Sequence, residues 1–250
     1  MPRLTYAARS GAGSTATLRF KRGMRSWRTV IVKRARWAFI LVGGIPIAIE
    51  IGRANHHALD WALGLTTGGT MALWLVLADS PPWYIEKWRW GAEAERWTAR
   101  ELGTLRRRGW RLLHDIPATR GNRDHVVLGP GGAYLLDTKR FVGRVTIDGD
   151  VIHIERTHDA DDQMEWTNVS KHVRGLAVEL KRELDAGGVH VGWVRAVVVI
   201  WSDFPQQLVE GDRITFVRGE RLVQWLTQQP AKRQFDPERA EQVLASREAT

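Results

Sequence analysis

Along this chain the apolar positions fall into two regimes. Between Trp37 and Ala78 they form two near-continuous runs, WAFILVGGIPIAIEIG (Trp37 to Gly52) and ALDWALGLTTGGTMALWLVLA (Ala58 to Ala78), parted by the polar RANHH. From residue 79 onward the pattern breaks into short periodic elements. GAEAERWTARELGTLRRRGW reads as a helix, with Ala94, Trp97, Leu102 and Leu105 on or near one stripe and Gly109 closing it. RLLHDI is a short strand, and HVVL and AYLLDTK flank GPGG as the two arms of a hairpin. GRVTIDGDVIHIE predicts a second hairpin turning at DGD, and DQMEWTNVSKHVRGLAVELKRELDAGG a long amphipathic helix ending at Gly187–Gly188. VRAVVVIWSDF is a continuous apolar run, the pattern of a strand buried on both faces. RITFV adds a strand, GERLVQWLTQQ a helix, and DPERAEQVLASRE a last helix begun by Asp236 and Pro237. Helix, antiparallel strands, helix, buried strand and helix predict an α/β class: a mixed sheet flanked by helices.

The two apolar runs predict an N-terminal transmembrane helical hairpin over residues 37–78. The second is about the length that crosses a hydrocarbon core, while the first is short and holds Pro46 and Glu50. Lys and Arg flank the pair on both outer sides and only Arg53 lies in the connecting loop, so the positive-inside rule places both termini in the cytoplasm of a multi-pass cell-membrane protein. The domain reading is a basic cytoplasmic tail (1–36), the membrane hairpin (37–78), a junction broken by Pro81 and Pro82 (79–90), an α/β domain (91–230) and a C-terminal helix (231–250).

Charge changes the picture by where it sits. The 250 residues carry a formal net charge of +9, but ten Lys and Arg and no acid lie in residues 1–36. The remainder holds 27 basic against 28 acidic residues, so the whole-chain excess does not mark a nucleic-acid groove. The tail itself is a candidate for anionic lipid. There is no cysteine, which excludes disulfides and thiolate metal sites.

Candidate chemistry gathers on the first hairpin. With Pro130 and Gly131 at the tip, Gly129 faces Gly132, Val127 faces Tyr134, and Asp124 faces Asp137, with Lys139 on the same face as Asp137. Directly opposed like charges destabilise a β pair. Lys139, a shared proton or a metal ion would each offset the repulsion. Two facing carboxylates beside a lysine suit metal-assisted phosphodiester cleavage: Mg²⁺ prefers oxygen ligands, polarises the phosphate and acidifies a bound water. Glu95, on the preceding helix, offers a further acid.

The ordered set Gly91 and Glu95, Asp124 and His125, Gly129, Pro130 and Gly132, Asp137 and Lys139, then Gly143, resembles the nuclease-related domain family NERD over roughly residues 88–200. That resemblance implies a restriction-endonuclease-like fold of the PD-(D/E)xK superfamily and Mg²⁺-dependent (or Mn²⁺-dependent) cleavage of nucleic acid, with DNA as the partner. It implies that Asp124, Asp137 and the Thr138 carbonyl bind the metal, that Lys139 is the catalytic lysine, and that Glu95 is an accessory ligand or acid. Arg123 stands where the superfamily has Pro and Ala94 where the family usually has Gly; Arg123 is a candidate counter-ion for Asp124. Turn geometry accounts for Gly129–Gly132 and Gly143, and His125 points away from Asp124. The alternative reading is a non-catalytic module that binds nucleic acid or protein at the membrane with the same fold.

Overall fold

The computed structural model describes residues 11–39, 56–119, 121–156, 163–232 and 235–247. The described chain divides into two compact units, one spanning Ala16–Arg89 and the other holding Trp90 onward together with the segment ending at Thr15.

The Ala16–Arg89 unit is helical. Helix α1 spans Ser14–Phe39 and helix α2 His56–Asp79. The expected basic tail is therefore largely a helix from Ser14, its cationic side chains turned outward: Arg19, Lys21, Arg22, Arg25 and Arg28 are all exposed. Within the unit, Trp27 Nε1 donates to the Leu77 carbonyl at 3.1 Å, and Gly23 lets α1 approach Ile85. Among the described residues no helix is long and apolar enough to cross a membrane, so the expected hairpin over 37–78 has no support there. Most of its first run, residues 40–52, lies outside the described residues. Its second run forms α2, where Thr66, Thr67, Gly68, Gly69 and Thr70 interrupt the apolar residues midway. Leu65, Met71, Leu73, Leu75 and Val76 of that helix are nonetheless exposed.

Pro81 and Pro82 end α2, and helix α3 starts at once beyond them, spanning Trp83–Gly103; most of the expected junction is thus helical. Proline fits here because a helix's first N–H groups have no internal partner to lose. Among the described residues nine strands follow: β1 Arg111–Pro117, β2 Asn122–Gly129, β3 Gly132–Lys139, β4 Arg144–Asp148, β5 Val151–Glu155, β6 Gln163–Trp166, β7 Arg195–Ile200, β8 Leu208–Gly211 and β9 Ile214–Arg218. Helix α4 spans Asn168–Ala186, α5 Leu222–Gln228 and α6 Pro237–Arg247. Six strands form one sheet in the order β1-β2-β3-β7-β9-β8, parallel at β3–β7 and β7–β9 and antiparallel elsewhere. The strands β4-β5-β6 form a separate antiparallel sheet. The α/β class with a helix-flanked mixed sheet is as the apolar periodicity indicates.

Strand β7 shows why the main sheet is central. Ala196, Val198 and Ile200 bury into one core with α4, α6 and the small sheet, while Val197 and Val199 bury into a second with Leu102, Leu105, Leu222 and Trp225. Each fully buried side chain of this kind contributes about 1.5–3 kcal/mol. Ala240 and Leu244 of α6 lie in the first core, so the C-terminal helix completes the α/β unit. Two segments differ from the periodicity reading. Gln163–Trp166 pairs with β5 instead of opening the long helix, and β8 covers the edge of β9.

The hairpin register follows the expected pairing, with Gly129 opposite Gly132 and Val127 opposite Tyr134. The reason for Gly129 differs from turn geometry. A Cβ there would enter the ring of Trp110, so the glycine admits an indole against the sheet. Gly143 has φ +116° and its missing Cβ clears the Glu155 carbonyl, a position that only glycine fills without strain.

Candidate active site at the β2–β3 hairpin

The site lies where the β2–β3 ladder ends. Backbone pairing stops at His125 opposite Leu136, and the next position in the same register sets Asp124 against Asp137. Asp137 and Lys139 pair with Val198 and Ile200 and so continue the first-core face of Ala133 and Leu135 beyond the apolar residues. Asp124 Oδ2 accepts the Thr138 backbone N–H at 2.7 Å, bridging the strands where the ladder has ceased. Lys139 Nζ sits 2.6 Å from Asp137 Oδ2. That oxygen is buried and accepts no well-directed hydrogen bond; the ion pair is its partner.

Register brings in a third acid that the hairpin pattern alone omits. In the β1–β2 ladder His114 pairs with His125 and Ile116 with Arg123, which leaves Asp115 opposite Asp124. Asp115, Asp124 and Asp137 thus occupy one row across three strands. Asp115 adopts φ +58°, a left-handed conformation that interrupts its strand at this point. Its carboxylate accepts the Thr15 N–H at 2.9 Å and the Thr15 hydroxyl at 3.1 Å, and bonds Ser14 Oγ and Asn122 Nδ2. The signal was present in the chain: pairing Pro117 with Asn122 across their short loop sets Asp115 against Asp124.

Helix α3 supplies the other side of the site. Glu95 is half-buried on it, and burial together with the charges of Asp124 and Asp115 pushes its pKa up to about 8. Burial and the neighbouring Asp137 push Asp124 up to about 7, with Lys139 and the Thr138 N–H pulling the other way. For Lys139, burial lowers the pKa, but the charges of Asp137, Asp124 and Glu95 outweigh it and hold the ammonium above its ordinary range. One turn along α3, Thr98 Oγ1 lies 3.1 Å from Thr138 Oγ1 and accepts Trp201 Nε1 at 2.8 Å, tying helix, β3 and the end of β7 together. The five residues expected at the site, Glu95, Asp124, Asp137, Thr138 and Lys139, are therefore gathered by α3, β2 and β3.

Arg123 is not the counter-ion of Asp124. Its guanidinium is fully buried and pairs with Glu183 at 2.6 Å and Glu179 at 3.1 Å on α4. His125 lies away from Asp124 as expected, its Nδ1 2.7 Å from His114 Nδ1 in a perpendicular ring contact. Burial lowers both pKa values, that of His114 to about 4. Gln163 and Lys171 are exposed.

Among the described residues no group of three or more His, Cys, Asp or Glu is arranged to hold a metal ion. A divalent cation still fits the donor set. Mg²⁺ is commonly held by one or two carboxylates and keeps several waters. Here the buried Asp137 oxygen has the Lys139 amine as its partner, and raised proton affinities at Asp124 and Glu95 mark a cluster with more anionic groups than that lysine balances. Two acids and a lysine thus meet at the end of a hairpin in an α/β domain, with an acid from a flanking helix beside them. In the comparison with family models, residues 90–201 match NERD, the nuclease-related domain. No curated protein and no solved structure matches the chain.

Proposed function

We propose that the domain hydrolyses phosphodiester bonds of nucleic acid with a divalent cation, Mg²⁺ or Mn²⁺, held by Asp124, Asp137 and the Thr138 carbonyl. The observation that carries this reading is the convergence of Asp124, Asp137 and Lys139, close enough to shift one another's proton affinities, with the lysine amine 2.6 Å from an Asp137 oxygen. When bound, the cation supplies charge neutralisation at the scissile phosphate and lowers the pKa of a bound water. Lys139, held protonated, stabilises charge developing on the phosphate oxygens. Glu95, with a pKa near 8, exchanges a proton close to neutral pH and is placed to accept one from the attacking water. Thr138 N–H fixes the orientation of Asp124.

The test is cleavage of labelled single- and double-stranded DNA and RNA by the full chain with Mg²⁺ or Mn²⁺. Lys139→Ala is expected to lose at least about a hundredfold in rate. Wild type and Lys139→Ala equally silent on every substrate would end the enzymatic reading. The second reading, a non-catalytic module binding nucleic acid or protein, is favoured by one observation: after Arg36 the chain holds 27 basic and 28 acidic residues, without the net positive charge usual for phosphate binding. Mn²⁺ titration separates the two, because a binding module needs no ion at Asp124 and Asp137.

Membrane localisation belongs to the same proposal, as attachment to a lipid surface with both termini in the cytoplasm. Two features support it: the acid-free cationic face of α1 and the exposed Leu73, Leu75 and Val76 of α2. Basic groups attract anionic lipid and apolar side chains enter the interface. Cosedimentation with anionic but not neutral vesicles is the expected result, and equal recovery without either vesicle removes the membrane from the account.

A further inference from the structure

A groove of about 390 Å³ opens beside the amine of the candidate site, lined by Lys139 together with Glu165, Trp166, Asn168 and His172. Its volume falls in the range of small-ligand sites. Trp166 ends the edge strand β6 and is 40 % exposed. A tryptophan in that setting gains little from the fold. It is braced by Phe141, ring to ring at 5.3 Å and perpendicular, and Phe141 in turn exchanges hydrogen bonds with Ser202 at 2.7 and 3.0 Å. The indole is thus held at a defined place, two residues of chain beyond Lys139 on the Phe141 side.

We propose that this groove is a stacking subsite for one unpaired nucleobase, and that single-stranded nucleic acid is the substrate class of the domain; the proposal rests on the nuclease reading for what the bound strand undergoes. Three physical points converge. A base inside a duplex has both faces covered by its neighbours, so only an unpaired or extruded base can meet the face of an indole. The near-neutral charge beyond Arg36 leaves phosphate attraction weak, and stacking supplies affinity that does not depend on net charge. Polarity orients the nucleotide within the groove. The Glu165 carboxylate repels a phosphate and accepts hydrogen bonds from a base edge, Asn168 offers both donor and acceptor, and Lys139 at the other side attracts the phosphate.

Binding is measured by fluorescence anisotropy with the full chain in EDTA, where no cleavage intervenes. The probes are fluorescein-labelled oligothymidylate and a labelled duplex. Trp166→Ala is expected to weaken oligothymidylate binding roughly 5- to 100-fold. Trp166→Phe retains most of the affinity, because an aromatic face remains, and duplex binding is unchanged by either substitution. Unchanged oligothymidylate affinity in Trp166→Ala overturns the proposal, as does the absence of oligothymidylate binding by wild type at low salt. Equal losses for single strand and duplex also overturn it, since they assign Trp166 a structural role, and an unshifted thermal unfolding midpoint checks that the variant is folded. Binding that depends on Trp166 without any cleavage in Mg²⁺ or Mn²⁺ sinks the nuclease reading alone and leaves the subsite standing.

Discussion

Replacing Asp124 by Asn keeps shape and hydrogen bonding to the Thr138 N–H while removing one charge from the acid row, and the structure gives the size and sign of the effect. Burial and Asp137 raise the Asp124 pKa from 3.8 to about 7. A raised carboxyl pKa means the folded state binds the proton more tightly than the unfolded chain. The stability from that proton is fully present below pH 3.8 and is lost as pH rises through 7. At about 1.36 kcal/mol per pH unit the complete loss amounts to roughly 4 kcal/mol. Asn does not titrate and escapes it, although the neighbouring acids share part of the relief and solvent screens part of it. Between pH 5 and pH 8 the stability of Asp124→Asn relative to wild type should therefore grow by about 1–3 kcal/mol, or of order 5 °C in unfolding midpoint for a chain of this size. The assay is thermal unfolding of both proteins at the two pH values in EDTA, repeated at pH 8 with Mg²⁺. Mg²⁺ should raise the wild-type midpoint, because a ligand of the folded state stabilises it, and should leave Asp124→Asn unmoved. A variant less stable than wild type by the same amount at both pH values would refute the reasoning, since the acids would then not be in conflict.

Three further outcomes follow from the packing around the site. Gly129→Ala drives a methyl group into the Trp110 ring and should destabilise by about 2 kcal/mol, read by denaturant unfolding. Arg123→Met leaves Glu179 and Glu183 without their buried cation and should cost about 3 kcal/mol, with Mn²⁺ affinity at the acid row unchanged by calorimetry, because the guanidinium serves α4 rather than Asp124. His114 is held neutral in the folded state with a pKa near 4 against 6.5 unfolded, so the unfolded chain binds the extra proton. Its contribution is present above pH 6.5 and lost as pH falls towards 4, about 3 kcal/mol at most, and His114→Gln should flatten the acid limb of the stability curve.

How much of this was legible in the chain depends on whether the information was local. The β2–β3 register was, because GPGG leaves one tip for the turn and a tip fixes every pair behind it. The same logic carried to the loop between Pro117 and Asn122 reaches Asp115, but its left-handed backbone and its bonds to Ser14 and Thr15 come from a segment about a hundred residues away, beyond any periodicity. The partner of Arg123 is hidden for a related reason. Adjacency to Asp124 suggests a counter-ion, yet a long side chain reaches Glu179 and Glu183 on a helix that sequence proximity does not reveal. Gln163–Trp166 reads as helix because four residues are too few for alternation to show, and pairing with β5 decides its state. In α1 the charges suggest a tail, while the absence of proline between Arg3 and Phe39 permits the helix that forms.

The arrangement also says why the acids stand where the ladder stops. Inside a fully paired sheet, three aspartates in one row would face one another with their backbones already bonded and no room for an ion or water. By ending the β2–β3 pairing at His125, the chain lets Asp124 take over one backbone donor, the Thr138 N–H, while Asp137 stays paired with Val198 of β7. The cost is a site less stable without positive charge than a neutral row would be. Proteins that keep such a conflict usually do so where a ligand resolves it. Lys139 resolves only part, since one amine faces Glu95, Asp124 and Asp137 together. The remaining charge is what a divalent cation would neutralise, which makes the metal dependence of stability, measured apart from any cleavage, the more direct measure of what this row of acids is for.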